Sequence, residues 1–367
     1  MIKSPRNCQR ATLASIARDL GLATSTVSFC LSGKASRYGI KAETVQSVRD
    51  HADKVGYVVN SAARQLRSQT THPIGLLFDP RLNAGEMPLK ALYNAQEKLK
   101  KHGMEVRIVA ADIWNGSIQM QQLGCREAIV FSTFTEAPAA PEVLNETLTA
   151  HKNIAGNLKL YAINYSFHPQ ETPIFPNVVR LGINRYSVNK ALCEYLHELD
   201  KGKLILQSSW CGSCLDTAGI MIMDQFLSDC TPYEMGRHWA HYYLAMRKNH
   251  NIGTIMPGDD RISAGLISEL INNGVKIPEE VRVISFDNLD FGSCLAVPLT
   301  SWGVPMQKHV DMVLDNLLNH TPVPERWVSI PDFNWGVSSG FTPLEQQEFM
   351  KKIEKICNEC NINKQEK

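Results

Sequence analysis

TLASIARDLGLATSTVSFCLSG, residues 12–33, reads as two short helices meeting at a glycine turn. Leu13, Ile16, Ala17 and Leu20 fall at i, i+3, i+4 and i+7, which gives the first helix one apolar face. Gly21 ends that helix and allows the positive φ that a sharp turn needs. Thr24, Ser25 and Thr26 open a second helix, where hydroxyls satisfy free backbone donors. Val27 and Leu31 point back at the first helix, leaving Thr24, Ser25, Ser28 and Phe29 on another face. A short helix with small polar groups near its start, braced by a first helix, is the geometry that enters a DNA major groove. An ordinary helical hairpin in a core fits the same spacing.

Charge shifts the balance toward DNA. The whole chain of 367 residues carries only +1. Residues 1–72, however, hold 11 Lys or Arg against 4 Asp or Glu, while the remainder holds 27 against 33. A basic head that coincides with the two-helix motif is the electrostatic footprint of a phosphate-binding module. The length calls for two or three folded units. No apolar run reaches the roughly 18 residues of a membrane helix. The opening MIKSPRNCQR lacks an apolar signal core, so export is not expected. Ten cysteines then read as reduced thiols. Cys211 with Cys214 and Cys357 with Cys360 have CxxC spacing, but the pairs lie 146 residues apart and lack a zinc-knuckle context, so no metal is assigned.

Over residues 11–343 the chain resembles the LacI/GalR family of bacterial transcription regulators. The resemblance rests on three stretches in order: ATLASIARDLGLATSTVSFCLSGK, IKAETVQSVRDHADKVGY and VVNSAARQLRSQTTHPIGLLF. In the second, Val45, Val48, Ala52 and Val55 have the spacing of a third helix closing a small core, with Gly56 stopping it and Tyr57 packing beneath. The family usually caps this helix with Ser or Thr near Lys41; lysine offers no acceptor, which weakens the start by roughly 1 kcal/mol. The third stretch matches the family's hinge helix. A helix as short as residues 60–67 is marginal alone, so it is expected to fold on DNA. The resemblance implies that Leu66 from each subunit wedges into a minor-groove step, that Ala63 permits close helix approach, and that Arg64 and Arg67 meet phosphates or the partner. The DNA contacts it implies are Thr12, Thr24, Ser25, Thr26, Ser28, Phe29, Asn60, Ala63, Arg64 and Leu66. Phe29 departs from the arginine common at its position; it cannot donate a hydrogen bond but can meet a thymine methyl.

From Pro73 onward, strands and helices alternate. IGLLF, VRIVAA, EAIVFS, KLILQ, GTIMP and VRVISFDN read as strands, and helices are expected at Leu89–His102, from about Asp216, and at Ser263–Asn273. Such alternation gives an α/β fold of parallel sheets covered by helices. The resemblance implies two side-by-side subdomains like those of periplasmic binding proteins, crossed three times by the chain, with ligand in the cleft at the strand ends. It places effector contacts at Asp79, Asn83, Asp216, Asp260 and Asp287. Asp260 falls on the aspartate of the family's "ND…A.G" motif, with Asp259 replacing the asparagine. Asp287 ends the strand that usually reads "GFDD", and Asn288 replaces the second aspartate. The first subdomain fits less well. Asn83 is followed by Ala84 and Gly85 rather than Pro-Phe, the segment between VRIVAA and EAIVFS is short, and Asp216 stands where an effector-binding arginine is common. Asp216 cannot make arginine's forked contact, which disfavours an anion and leaves a neutral polyol, a sugar or a cation.

The expected organisation is therefore a helix-turn-helix head at 11–58, a hinge helix and linker at 59–72, a two-subdomain effector-binding and dimerisation domain at 73–343, and a charged tail at 344–367 able to form a short surface helix. The tail shows no leucine heptad, so a homodimer is expected rather than a tetramer. The function implied is sequence-specific binding of a pseudo-palindromic double-stranded DNA operator, as a repressor tuned by a small sugar-like effector, in the bacterial cytoplasm at the nucleoid. No membrane partner and no cofactor are expected. A regulator of the same fold without an effector stays open. A solute-binding protein would need export and no basic head. A thiol enzyme built on Cys211 and Cys214 lacks a base or any second catalytic group, so no catalytic residues are assigned.

Overall fold

The computed structural model describes residues 12–31, 35–55, 72–80, 86–133, 158–167, 177–208, 219–223 and 230–362. They fall into two units, divided between Thr71 and His72.

The first unit holds three helices: α1 (Leu13–Asp19), α2 (Thr24–Leu31) and α3 (Ala42–Lys54), with a 3-10 turn at Ala35–Tyr38 between the last two. Thr12 and Ser15 form a capping box that starts α1, each side chain accepting the other's backbone N–H. Gly21 turns the chain at φ +61°. Ile16, Ala17, Val27, Cys30, Val48 and Ala52 form the buried core. Leu31 packs against this core as expected, beside the fully buried Cys30, whereas Val55, just past the end of α3, is 39% exposed. The apolar stripe of α3 leaves the core after Ala52. Asp19 and His51 join α1 to α3 at 3.1 Å.

The second unit contains two six-stranded sheets. The first has the order β11-β5-β4-β3-β1-β2, all parallel, from β1 (Ile74–Phe78), β2 (Val106–Ala110), β3 (Glu127–Val130), β4 (Lys159–Ser166), β5 (Val178–Ile183) and β11 (Arg326–Val328). The second has the order β12-β10-β9-β8-β6-β7, from β6 (Leu204–Ser208), β7 (Ile220–Met223), β8 (Ile252–Met256), β9 (Arg282–Phe286), β10 (Thr300–Gly303) and β12 (Asp332–Asn334). Only β12 runs antiparallel to its neighbour. The chain passes between sheets after β5, after β10 and after β11, which are the three expected crossings. Helices α4 (Glu86–Lys101), α5 (Ile113–Gln122), α6 (Arg185–Leu199), α7 (Pro232–Met246), α8 (Asp260–Asn272), α9 (Met306–Asn319) and α10 (Pro343–Ile362) complete this unit. One apolar core runs through both sheets, from Leu76 and Phe131 to Ile284, Phe286 and Trp302.

Three expectations are corrected here. No helix follows Asp216 directly: Ile220–Met223 is an edge strand, paired in parallel with β6. Parallel neighbours usually need a crossover of about a dozen residues or more; only eleven, 209–219, lie between these two. The segment between β2 and β3 is long enough for α5, which Asp112 caps through the backbone N–H groups of Trp114 and Asn115. Finally, the charged tail is part of the body. Phe349, Ile353 and Cys357 on α10 are buried in the shared core, spaced at i, i+4 and i+8.

Candidate functional site

Two surfaces carry candidate chemistry, one on each unit. On the first, α2 presents Thr24 and Ser25 exposed, with Thr26, Ser28 and Phe29 half-buried. Phe29 is not a lone ring. It stacks on Tyr38 of the 3-10 turn, with centroids 3.9 Å apart and planes 9° from parallel. Thr12 is committed to the capping box at the start of α1.

On the second unit the site is built at the carboxyl ends of β8 and β9. Asp259 is the N-cap of α8 and accepts the backbone N–H groups of Arg261 and Ile262. The Arg261 guanidinium returns to the same carboxylate with two bonds, Nη2 to Oδ2 at 2.6 Å and Nε to Oδ1 at 3.2 Å. This forked pairing fixes the orientation of the Asp259 carboxylate. Asp287 follows β9 at φ +108° and Asn288 at φ +53°. Left-handed backbone at non-glycine residues costs about 1–3 kcal/mol each and persists only where neighbours enforce it. Here the Asp287 N–H donates to the Trp302 carbonyl at 3.0 Å, and the Asn288 N–H donates to Ser301 Oγ at 3.0 Å.

Electrostatics couple these groups. The Asp287 carboxyl is pushed up to about 8, first by burial and then by the Asp259 and Asp260 carboxylates, with Arg185 and Arg261 pulling the other way. At neutral pH it is therefore mostly a neutral acid, able to donate a hydrogen bond. Arg185 begins α6 at the first crossing, and its guanidinium lies 3.9 Å from the centre of the Phe286 ring. The cluster thus offers a carboxylate acceptor in Asp259, guanidinium donors, and an acid that gives or takes a hydrogen bond. Such a mixture suits an uncharged, hydroxyl-rich molecule better than an ion.

Residues 228–338, which carry most of this site, match the family model described as a periplasmic binding protein-like domain. The chain is 22% identical to the HTH-type transcriptional regulator GntR of Pseudomonas aeruginosa, over 83% of this chain and 88% of that protein. Among solved structures it is similar to a LacI-family transcriptional regulator of Silicibacter pomeroyi, with a TM-score of 0.64 at 15% identity, covering 89% of this chain and 99% of that one. Transcription regulators with a helix-turn-helix head and a LacI-type fold are thus what the chain is similar to. The fold is also similar to that of the lac repressor dimer bound to operator and the anti-inducer ONPF. That match has a TM-score of 0.64 at 14% identity and covers 90% of this chain and 99% of that one.

Of the expected effector residues, the structure brings Asp260 and Asp287 together. Asp260 turns into the interior of the unit. It is fully buried, and its two oxygens accept from Ser301 Oγ at 2.6 Å and the Leu289 N–H at 2.7 Å. Burial pushes its carboxyl up to about 6 despite those bonds. Asp79 ends β1 in the other sheet, 4% exposed, and its N–H donates to Ser132 Oγ. Asn83 and Asp216 lie outside the described residues, as do Asn60, Ala63, Arg64 and Leu66 of the hinge and Cys211 and Cys214. Sequence reading missed Asp259, Arg261 and Arg185. The first was legible as an N-cap beside a helix start; the other two gave no signal. Cys357 donates to the Ser329 carbonyl at 3.5 Å, and Cys360 accepts from Asn184 at 3.6 Å. Among the described residues, no three His, Cys, Asp or Glu side chains converge as a metal site, and no helix is long and apolar enough to cross a membrane.

Proposed function

We propose that this chain is a transcription regulator, a repressor, which binds a pseudo-palindromic DNA operator as a homodimer through its basic N-terminal head. The observation that carries this reading is the exposed hydroxyl face of α2, Thr24 and Ser25, on a three-helix unit in the basic part of the chain. Thr26, Ser28 and Phe29 extend that face; Thr12 sets the start of α1; and Asn60, Ala63, Arg64 and Leu66 provide the minor-groove hinge. Two-fold symmetry in the dimer matches two-fold symmetry in the operator. Such a protein works in the bacterial cytoplasm, at the nucleoid.

The effector is a small uncharged polyhydroxylated molecule of the sugar type, held by Asp259, Arg261 and Asp287, with Asp79 facing it from the first sheet and Asn83 and Asp216 beside it. Binding changes the angle between the two sheets, and with it the spacing of the hinge helices. By linkage, an effector that weakens DNA binding is itself bound more weakly on DNA. The role is one of binding, with no catalytic step.

Selection of random duplex DNA by the purified protein, followed by sequencing, tests the first half. An enriched inverted repeat supports a dimeric regulator. No enrichment in moderate salt by folded protein counts against it. A panel of neutral sugars and polyols, added to the selected duplex, tests the second half; a shift in DNA affinity that Asp259→Ala abolishes is the expected result.

A further inference from the structure

Phe29 of α2 and Tyr38 of the 3-10 turn form one stacked pair on the head. Phe29 and Ser25 are four residues apart on α2, so they share one helix face. Tyr38 sits at the end of the 3-10 turn, is 54% exposed, and lies flat on Phe29. Two nearly parallel rings make one rigid slab with an apolar edge, since stacking fixes both side chains. The phenol hydroxyl of Tyr38 adds a donor and an acceptor that phenylalanine lacks. Arg37, exposed on the same turn, sets a positive charge beside the slab. An apolar edge next to small hydroxyl groups matches one feature of the major groove, the C5-methyl of thymine.

We propose that Tyr38 is a specificity-determining residue, which together with Phe29 forms a two-ring slab that reads a thymine methyl in each DNA half-site. The proposal rests on the DNA-binding reading above. In it, Tyr38 holds Phe29 against the groove and widens the apolar contact. Arg37 meets a neighbouring phosphate, a contact that positions without specifying.

The experiment uses the full chain and three variants, Phe29→Ala, Tyr38→Ala and Tyr38→Phe, each put through the random-duplex selection. Wild type is expected to enrich thymine at one symmetric position per half-site. Phe29→Ala and Tyr38→Ala should both lose that preference while keeping the rest of the motif. Tyr38→Phe should keep it, because the slab survives. A second probe changes only the DNA. Uracil in place of that thymine removes one methyl, and should weaken wild-type binding about fourfold per half-site while leaving Phe29→Ala and Tyr38→Ala unchanged. A wild-type motif retained at every position by both alanine variants, or indifferent to uracil, overturns the role of Tyr38 and leaves DNA binding standing. A wild-type protein that enriches nothing overturns the DNA-binding reading and this proposal with it. The uracil result on wild type keeps its force if Tyr38→Ala fails to fold.

Discussion

Ser301 donates its hydroxyl to Asp260 at 2.6 Å, tying β10 to the start of α8 beneath the charged cluster. Through the same hydroxyl it accepts the Asn288 N–H, and Asp260 accepts the Leu289 N–H, so one buried carboxylate shapes the turn that carries Asp287. Asp260→Ala would leave a buried hydroxyl and a buried N–H without their acceptor. We expect a loss of about 2–4 kcal/mol, read as a lower denaturant midpoint. All six tryptophans lie beyond residue 72, so their fluorescence follows this unit alone. Unchanged stability with lost effector response would instead make Asp260 a ligand contact.

Asp287 and His309 should give stability opposite slopes with pH. The folded protein raises Asp287 from 3.8 to about 8, so it binds more protons than the unfolded chain between those values. Its contribution to stability is full below about 4 and is lost as pH rises through 8. Asp287→Asn should therefore match wild type near pH 4 and exceed it in melting temperature at pH 8.5. A constant difference across that range would mean that Asp287 is charged throughout.

His309 runs the other way. It is fully buried, with Nδ1 2.7 Å from the Ile163 carbonyl and Nε2 2.6 Å from Ser329 Oγ. A carbonyl can only accept, so Nδ1 carries the proton and Nε2 accepts from the serine. Burial lowers its pKa from 6.5 to about 4. The neutral ring's contribution is present above 6.5 and is lost as pH falls toward 4. Removing it as His309→Gln should flatten acid destabilisation in that window while lowering stability by about 2 kcal/mol at pH 7.

Helices α7 and α8 cross at two glycines. A Cβ on Gly236 would lie 1.9 Å from the Ile262 carbonyl oxygen, and one on Gly265 would lie 1.9 Å from the Tyr233 carbonyl oxygen. Both obstacles are backbone, so alanine at either site must push the helices apart. We expect about 3 kcal/mol or more of destabilisation, together with a displaced Asp259–Arg261 pair. Alanine variants as stable as wild type would show that the helices have room to separate.

Phe29→Arg should change base preference at one symmetric position in each half-site, not lower affinity uniformly. Arginine restores the fork that pairs with guanine. A selected motif identical to that of wild type would show that position 29 does not face the bases.

Much of this was legible in the sequence, and the reason is local. The i, i+3, i+4 spacing of α1, the turn at Gly21 and most of the strand–helix alternation after Pro73 are short-range patterns that survived as read; the helix expected near Asp216 did not. Edges and ends were less legible. IMIM at 220–223 has no alternation to separate an edge strand from a helix, and only its pairing with β6 decides. The lysines and glutamates of α10 conceal Phe349, Ile353 and Cys357, whose burial depends on helices and strands far away in the chain.

The sequence by itself determined a basic three-helix head, a parallel α/β body, and a group of acids near the ends of β8 and β9; the three crossings were implied by the resemblance. Only the tertiary structure decided which acid does what. Asp259 and Asp260 are neighbours in the chain, yet one caps a helix facing Arg261 while the other turns inward to Ser301 and Leu289. In the head, only folding laid Tyr38 on Phe29. Periodicity is a local property that a sequence states outright; the partner of a side chain depends on residues brought close by the fold.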